Sequence, residues 1–355
     1  MVASKKGVPV EVGYGTSARF LYQNSKYKVG ISKRFGAAIT EYYNKRVDST
    51  MNLVTSDNGA ALQTALFGAK DVPNSGGSDC QGGRRLRWNP TQAGSHCRAA
   101  DGGRAGSVID SCTSSSNLCN RDSFTESVGS GEWIQWRVSY RNFFYEKNPH
   151  GVYKYKPFDD VRALIRYTFH ADHVQADYQI WRTRDTNYGA YFQALPTGFF
   201  TQMTRYTYSP SGTPKTTTRS ESPTDDAQSV ANYSVGPSTG RWVTAESVNR
   251  PGSPPVMTPG NHLTAAYYNS IPGCPARKFL ISFFGDNYQQ SSHAKNYLKS
   301  YAPTKGTYMN VRGLIFPYRY NETLPGKTAQ LGKLIDTPGD GSGSQGYMPV
   351  NELFL

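Results

Sequence analysis

Hydrophobic and polar residues alternate with a period of two in several stretches of the chain, which is typical of strands that bury one face. Residues 27–31 form one such stretch near the N-terminus, and we predict a second strand over residues 35–43. Further along, the runs at 161–170 and 174–182 are separated only by the polar link 171–173. We expect these two runs to pair as an antiparallel hairpin, because so short a link leaves no room for a crossover connection.

Strand-like stretches recur about a dozen times along the chain, without helices between them and without a repeat of fixed period. This order predicts an all-β protein, a large antiparallel β-sandwich of the supersandwich or jelly-roll type with long loops and little helix. We expect a single domain over residues 1–355. Within it we predict an irregular, disulfide-pinned loop region at 72–131, a Ser/Thr/Pro-rich insertion loop at 209–226 and a flexible tail at 336–347.

The amino-acid composition supports the all-β prediction and shows that the protein carries a positive net charge. Aromatic residues are 13% and charged residues only 18%, with 35 Gly and 21 Pro, and the formal net charge is +13. Such an excess of cations attracts anionic partners. The partner could be nucleic acid, an acidic polysaccharide or a membrane surface. Because the cations are spread along the chain, nucleic acid is not favoured, and because no stretch approaches 18 apolar residues we expect no membrane insertion. A basic protein without a polyanionic partner stays open.

The five cysteines provide evidence for the cellular compartment of the protein. Four of them, Cys80, Cys97, Cys112 and Cys119, lie within 40 residues, and the fifth is Cys274. Their spacings lack the tight pairs of zinc sites, so we predict disulfides between Cys80 and Cys97 and between Cys112 and Cys119, with Cys274 free. Disulfides favour a secreted or extracytoplasmic protein, whose signal peptide is not present in this chain, over a cytosolic one.

A Gly-rich loop between the first two cysteines carries the most distinctive side chains. It reads Arg84-Arg85-Leu86-Arg87-Trp88-Asn89-Pro90-Thr91-Gln92-Ala93-Gly94. An indole, two amides and three guanidinium groups are suited to stacking on a polar ligand and hydrogen-bonding it. We therefore predict that Arg87, Trp88, Asn89 and Gln92 contact substrate. The alternative is a purely structural loop in which Trp88 covers the core.

Three stretches carry a resemblance to a known group of proteins. They are Phe35-Gly36-Ala37-Ala38-Ile39-Thr40-Glu41, Asp57-Asn58-Gly59-Ala60-Ala61-Leu62-Gln63 and the 88–94 loop. Together they resemble an uncharacterised group of secreted bacterial β-sandwich proteins associated with polysaccharide breakdown, and the opening strands resemble galactose-mutarotase-like supersandwiches. The resemblance implies a glycan ligand, with Gln63 near it. Ala60 and Ala194 stand where the group has an arginine and a glutamate, so it assigns no reaction.

A lyase acting on a uronate polymer needs a cation for the carboxylate, a base for the C5 proton and an acid for the leaving oxygen. The candidates are Arg166 and Arg182 for the cation, His170 and His173 for the base, and Tyr178, Tyr188 or Tyr191 for the acid, with Arg184 binding substrate. The competing interpretation is that His170 and His173 are exposed turn residues. We expect no metal at this H-x-D-H run and no cofactor, while a structural calcium ion stays open.

Our first hypothesis is therefore a secreted lyase of an anionic polysaccharide. A glycoside hydrolase would use two carboxylates, for which Glu41 and Asp57 are the candidates. Two other classes stay open, a non-catalytic glycan-binding or surface protein on the same fold and a basic jelly-roll coat protein.

Overall fold

The computed structural model describes part of the chain. The described residues are 19–32, 36–54, 63–68, 87–88, 107–120, 131–147, 153–183, 190–200, 205–208, 215–218, 228–234, 242–246, 262–270, 278–285, 292–301 and 308–318.

The described residues form eighteen strands and one 3-10 helix. In chain order the strands are β1 (Arg19–Gln23), β2 (Tyr27–Ser32), β3 (Ala38–Asn44), β4 (Gln63–Gly68), β5 (Arg87–Trp88), β6 (Ser107–Ser114), β7 (Glu132–Lys147), β8 (Tyr153–Phe169), β9 (Val174–Arg182), β10 (Ala190–Phe200), β11 (Arg205–Tyr208), β12 (Lys215–Thr218), β13 (Gln228–Ser234), β14 (Trp242–Glu246), β15 (His262–Ser270), β16 (Lys278–Gly285), β17 (Ser292–Tyr301) and β18 (Tyr308–Tyr318). The 3-10 helix, Ser115–Asn120, follows β6.

The strands make three sheets in which the described pairs run antiparallel. The first sheet is β1-β2-β3, the second is β13-β16-β17-β10-β4-β5, and the third is β12-β11-β14-β15-β18-β9-β8-β7-β6. The predicted all-β, antiparallel fold class is therefore confirmed. Among the described residues, no helix is long and apolar enough to cross a membrane.

The hairpin predicted around 171–173 is present. Strand β8 ends at Phe169 and β9 begins at Val174, and these two residues are register partners. The backbone N–H of His170 donates to the carbonyl of His173 at 2.9 Å and closes the turn. The short connection and the alternating pattern of the two strands together determine this hairpin, as expected for a unit that depends only on neighbouring residues.

Two segments predicted to be irregular contain regular structure. Within 72–131 the chain forms β5, β6 and the 3-10 helix, and β6 pairs with β7 over most of its length. Within 209–226, β12 pairs with β11. At these places the chain pairs as strands because a neighbouring strand supplies the hydrogen bonds.

One predicted disulfide is present. Cys112 in β6 is bonded to Cys119 in the 3-10 helix, with the two Cα atoms 5.8 Å apart. The bridge closes a short loop at the edge of the nine-stranded sheet. Cys80, Cys97 and Cys274 lie outside the described residues, so the other pairing stays a prediction.

A core of aromatic side chains lies between the three-stranded sheet and the nine-stranded sheet. The Phe20 ring lies 6.1 Å from that of Trp136 and 5.8 Å from that of Phe169, and Tyr22 stacks on Phe169 at 4.2 Å. All four side chains are buried. Aromatic pairs at these separations add to the free energy gained by burying their area, so these contacts hold the two sheets together.

Candidate functional site

Strand β7 shows why the nine-stranded sheet has two different faces. Ile134, Trp136 and Val138 are buried against the first sheet, whereas the residues between them point to the opposite side. Register partners of an antiparallel pair share a face, so the pairing of β6 to β9 extends this outer face across four strands. We call it the Arg–Trp face and define it by Thr113, Trp133, Gln135, Arg137, Arg162, Leu164, Arg166, Gln175, Asp177 and Trp181.

One end of the Arg–Trp face is built on Trp133. The Cζ atom of Arg166 lies 4.1 Å from the centre of the Trp133 ring. Its Nε–H donates to Gln135 Oε1 at 3.0 Å, and the amide of Gln135 donates in turn to Thr113 Oγ1 at 3.4 Å. An indole below and an amide beside it hold the guanidinium plane in one orientation, which is the preorganisation that recognition of a planar anion requires.

The other end of the Arg–Trp face is built on Trp181. Arg137 on β7 reaches across the sheet, and its Cζ atom lies 5.6 Å from the centre of the Trp181 ring. Arg137 is exposed, and Trp181 is half-buried. Beside the two pairs, Gln175 donates to Asp177 Oδ2 at 2.7 Å. The face therefore presents two indoles, three guanidinium groups, two amides and one carboxylate on one surface.

The turn between β8 and β9 holds a compact group of rings. His170 and His173 stack with their ring centres 4.2 Å apart, and His173 stacks on Phe316 of β18 at 4.5 Å. His173 Nδ1 lies 2.7 Å from Asp172 Oδ1. The hydrogen bond with His173 lowers the pKa of Asp172 from its ordinary value, against the opposing effect of partial burial. His173 is only 6% exposed, so it is not the solvent-exposed turn residue of the competing interpretation.

The same turn is attached to the first sheet. The Tyr27 hydroxyl donates to the carbonyls of His170, at 2.8 Å, and His173, at 3.1 Å. The Asn24 amide, at the turn between β1 and β2, approaches the carbonyl of His170 at 3.4 Å. Burial raises the pKa of Tyr27 well above its ordinary value, so its phenol stays protonated and keeps donating. The histidine turn is thus part of the joint between two sheets.

The residues predicted to carry out β-elimination do not all lie on one face of the sheet. Arg166 on β8 pairs with Asp177 on β9, so the even-numbered residues of β9 lie on the face opposite to Arg166. Arg182 is therefore on the inner face, 7% exposed, and about 26 Å along β9 from Val174 and the histidine turn. Of the two candidate cations, only Arg166 therefore lies on the Arg–Trp face.

Tyr178, a predicted acid, also lies on the inner face. It is 3% exposed, and its hydroxyl is 2.9 Å from the hydroxyl of Tyr167, which donates to the carbonyl of Ala37 at 2.6 Å. At this depth the Tyr178 hydroxyl contributes to the polar network of the core. A polymer at the surface does not reach it.

Four other predicted residues lie near one edge of the six-stranded sheet. Arg87 and Trp88 form β5, where they pair with Phe67 and Leu66 of β4. Tyr191 on β10 pairs with Phe67 from the other side. Gln63, at the start of β4, pairs with Thr197. Strand β5 also lies next to β7 of the nine-stranded sheet, so this edge borders the sheet that carries the Arg–Trp face.

Of the remaining predicted residues, only Glu41 lies in the described part of the chain. Glu41 lies on β3 of the first sheet, where its carboxylate accepts from the Tyr43 hydroxyl at 3.3 Å. Its proposed partner Asp57 lies outside the described residues, as do Asn89, Gln92, Arg184 and Tyr188. In the described part of the chain, no group of three or more His, Cys, Asp or Glu side chains is placed to hold a metal ion.

Trp133, Arg137 and Trp181 were missed by the sequence analysis. A signal for the first two was present, since Trp133, Gln135 and Arg137 occupy the polar positions of an alternating strand. Tryptophan is usually buried on the inward-facing side of a strand. Trp133 stands instead at an outward-facing position, where a polar residue is expected, and this is the informative feature.

Comparison with known proteins gives the following matches. No protein-family model and no curated protein sequence matches the chain. Among solved structures, it is similar to a putative aldose 1-epimerase from Escherichia coli K12, with 10% identity over 85% of this chain and 99% of that one and a TM-score of 0.40. It is similar to a galactose mutarotase related enzyme from Lactobacillus acidophilus, with 10% identity over 84% and 97% and a TM-score of 0.41. A heparinase III gene product matches with 7% identity over 87% of this chain and 36% of that one, at a TM-score of 0.38.

Proposed function

We propose that the protein is a secreted, carbohydrate-active protein that binds an anionic polysaccharide on the Arg–Trp face. The observation that carries the proposal is the guanidinium of Arg166, stacked 4.1 Å above Trp133 and bonded to Gln135. The net charge of +13 supports a polyanionic ligand, and the Cys112–Cys119 disulfide supports an oxidising compartment.

The chemistry of an acidic sugar fits this set of side chains. A sugar ring offers apolar C–H groups to an indole, while its carboxylate or sulfate attracts guanidinium groups. Amide side chains such as those of Gln135 and Gln175 hydrogen-bond hydroxyl groups. Since the charges are near the surface, we expect binding to weaken as the salt concentration rises.

Binding to four acidic polymers tests the proposal. The polymers are alginate, polyglucuronate, pectate and a glycosaminoglycan, with neutral dextran as the reference, measured by affinity electrophoresis and calorimetry. We expect an acidic polymer to bind and Trp133→Ala to weaken binding about tenfold or more, as loss of a central aromatic contact does. Lys28→Ala is the matched control, because it removes a cation stacked on Tyr43 of the first sheet, far from the face. Failure of all four polymers to bind would refute the proposal.

A lyase reaction is the second candidate function. It is favoured by the position of the His170, Asp172 and His173 group at the end of β8, about 13 Å along that strand from Arg166. In β-elimination a base removes the C5 proton, the bond from C4 to the leaving oxygen breaks, a C4–C5 double bond forms and an acid protonates that oxygen. His170, which is half-buried while His173 is buried, is the proposed base.

Product analysis separates the reactions. A lyase produces an unsaturated sugar that absorbs ultraviolet light, whereas a glycoside hydrolase produces new reducing ends without that absorbance. We expect His170→Ala to abolish any ultraviolet signal while leaving binding on the Arg–Trp face intact. Unchanged turnover in His170→Ala would remove His170 from the mechanism, and a polymer that binds without either product would leave binding as the function.

A further inference from the structure

The two Arg–Trp pairs stand at opposite corners of the Arg–Trp face. Trp133 is the register partner of Thr168 on β8, and Trp181 is the register partner of Arg162 on the same strand. These two positions on β8 are six residues, about 20 Å, apart, and the two tryptophans lie on strands that are about 10 Å apart. The diagonal between the two indoles is therefore about 22 Å.

The surface along this diagonal suits a sugar chain. Arg166 and Leu164, which follow one another on the outer side of β8, lie between the two indoles. Leu164 offers an apolar contact midway, and Arg166 a fixed cation. Arg137 lies to one side of the diagonal, and the carboxylate of Asp177, which accepts from Gln175, lies to the other.

We propose that the two pairs bind one anionic polysaccharide chain at the same time, so that the site recognises a segment of several sugar units along the diagonal. This inference rests on the proposed function and adds to it the length and direction of the ligand. The pair of Trp133 and Arg166 is the fixed end, because Gln135 holds the guanidinium. The pair of Trp181 and Arg137 is the adjustable end, since Arg137 is exposed.

Two linked contacts have a quantitative consequence. Once a chain is bound at one end, its other end meets the second pair at a high effective concentration, and such linkage raises affinity by about 10²–10⁴ over one contact. A fragment too short to span both pairs lacks this gain. Affinity is therefore expected to rise steeply with ligand length and then level off when the ligand spans about 22 Å.

The test is a length series. Size-fractionated oligosaccharides are prepared from whichever of alginate, polyglucuronate, pectate and the glycosaminoglycan binds most tightly, and their dissociation constants are measured by calorimetry at one salt concentration. We expect the longest fragments to bind the wild type about 100-fold more tightly than the shortest. Trp181→Ala and Arg137→Gln are expected to remove most of that rise, so that the dissociation constants of these variants change little from the shortest fragments to the longest. Lys28→Ala should leave the whole series unchanged.

The outcomes separate this inference from the proposed function. If the wild type binds none of the four polymers, the proposed function fails. If it binds them with one affinity at every length, or if Trp181→Ala and Arg137→Gln keep the full rise, the two-ended site is refuted while polysaccharide binding stands. Urea unfolding of each variant checks the fold. Because Arg137 is exposed, Arg137→Gln still decides the matter should Trp181→Ala fail to fold.

Discussion

The two faces of strands β7 to β9 use the same backbone for different purposes. On the inner face Trp136 is 1% exposed and packs against Phe20 and Tyr167 with its ring edge-on to theirs. On the outer face Trp133, three residues earlier, is half-buried and its ring is covered by Arg166. The comparison shows that the face of the sheet to which the side chain points, and not the residue type, decides whether a tryptophan stabilises the fold or is available to a ligand.

The largest expected effect comes from truncating the two tryptophans. Trp136→Ala should lower the free energy of unfolding by about 3–5 kcal/mol, because it leaves a cavity between two sheets. Trp133→Ala should cost less than that, since its side chain is only half-buried. Urea unfolding followed by circular dichroism measures both. Equal losses of stability would show that the outer face is packed like the core and would contradict the contrast between the faces.

The local parts of this arrangement were within reach of the sequence. Alternation predicted the antiparallel fold class, and the short polar link at 171–173 predicted the β8–β9 hairpin, because both depend on neighbours in the chain. Cys112 and Cys119 were paired correctly for the same reason, being seven residues apart. Strand β6 was missed because its polar residues pair with β7 across a long connection, which no local pattern reveals.

The candidate site was harder to predict because it depends on register. Arg166 and Arg182 look equivalent in the sequence, yet the pairing of Arg166 with Asp177 sends them to opposite faces. The contact between Arg137 and Trp181 likewise crosses two strand pairings. A shift of one residue in either pairing would exchange the faces, and alternation within one strand does not determine that register.

The next effect concerns the polar network inside the inner face. Tyr167 donates to the carbonyl of Ala37 and lies within hydrogen-bonding distance of the Tyr178 hydroxyl. Tyr167→Phe leaves the buried Ala37 carbonyl without this donor, so we expect a loss of about 1–3 kcal/mol in the free energy of unfolding. Tyr178→Phe, which keeps the bond to Ala37, is the control and should cost less. The urea midpoints of the two variants give the order of the losses. A larger loss in Tyr178→Phe would show that Tyr178, and not Tyr167, makes the more important hydrogen bond.

Alkaline pH should weaken the first sheet, which packs against the inner face, and spare the outer face. Burial raises the pKa of Tyr27 and Tyr42 above the ordinary value of 10.0. Their stabilising contribution is therefore full below pH 10. Above pH 10 only the unfolded chain ionises, so each group lowers the free energy of unfolding by up to about 1.4 kcal/mol per pH unit. Tyr27→Phe should make urea stability fall less steeply between about pH 10 and about pH 11. Parallel curves for the variant and the wild type would show that Tyr27 ionises as easily when folded.

Acidic pH gives the smallest expected effect, at the turn where the inner face ends. The hydrogen bond with His173 lowers the pKa of Asp172 below its ordinary value of 3.8. The stability it contributes is therefore present above that value and is lost as the pH falls through the folded-state pKa. Since the Asp172 side chain is 57% exposed, solvent screens the interaction and the change should be the least of the four.

Asp172→Asn is expected to remove the part of the acid-induced fall in urea midpoint that begins near pH 4, because the amide does not titrate. If wild type and variant lose stability in parallel down to about pH 3, Asp172 does not attach the turn, and the hydrogen bonds from Tyr27 to the carbonyls of His170 and His173 hold it alone.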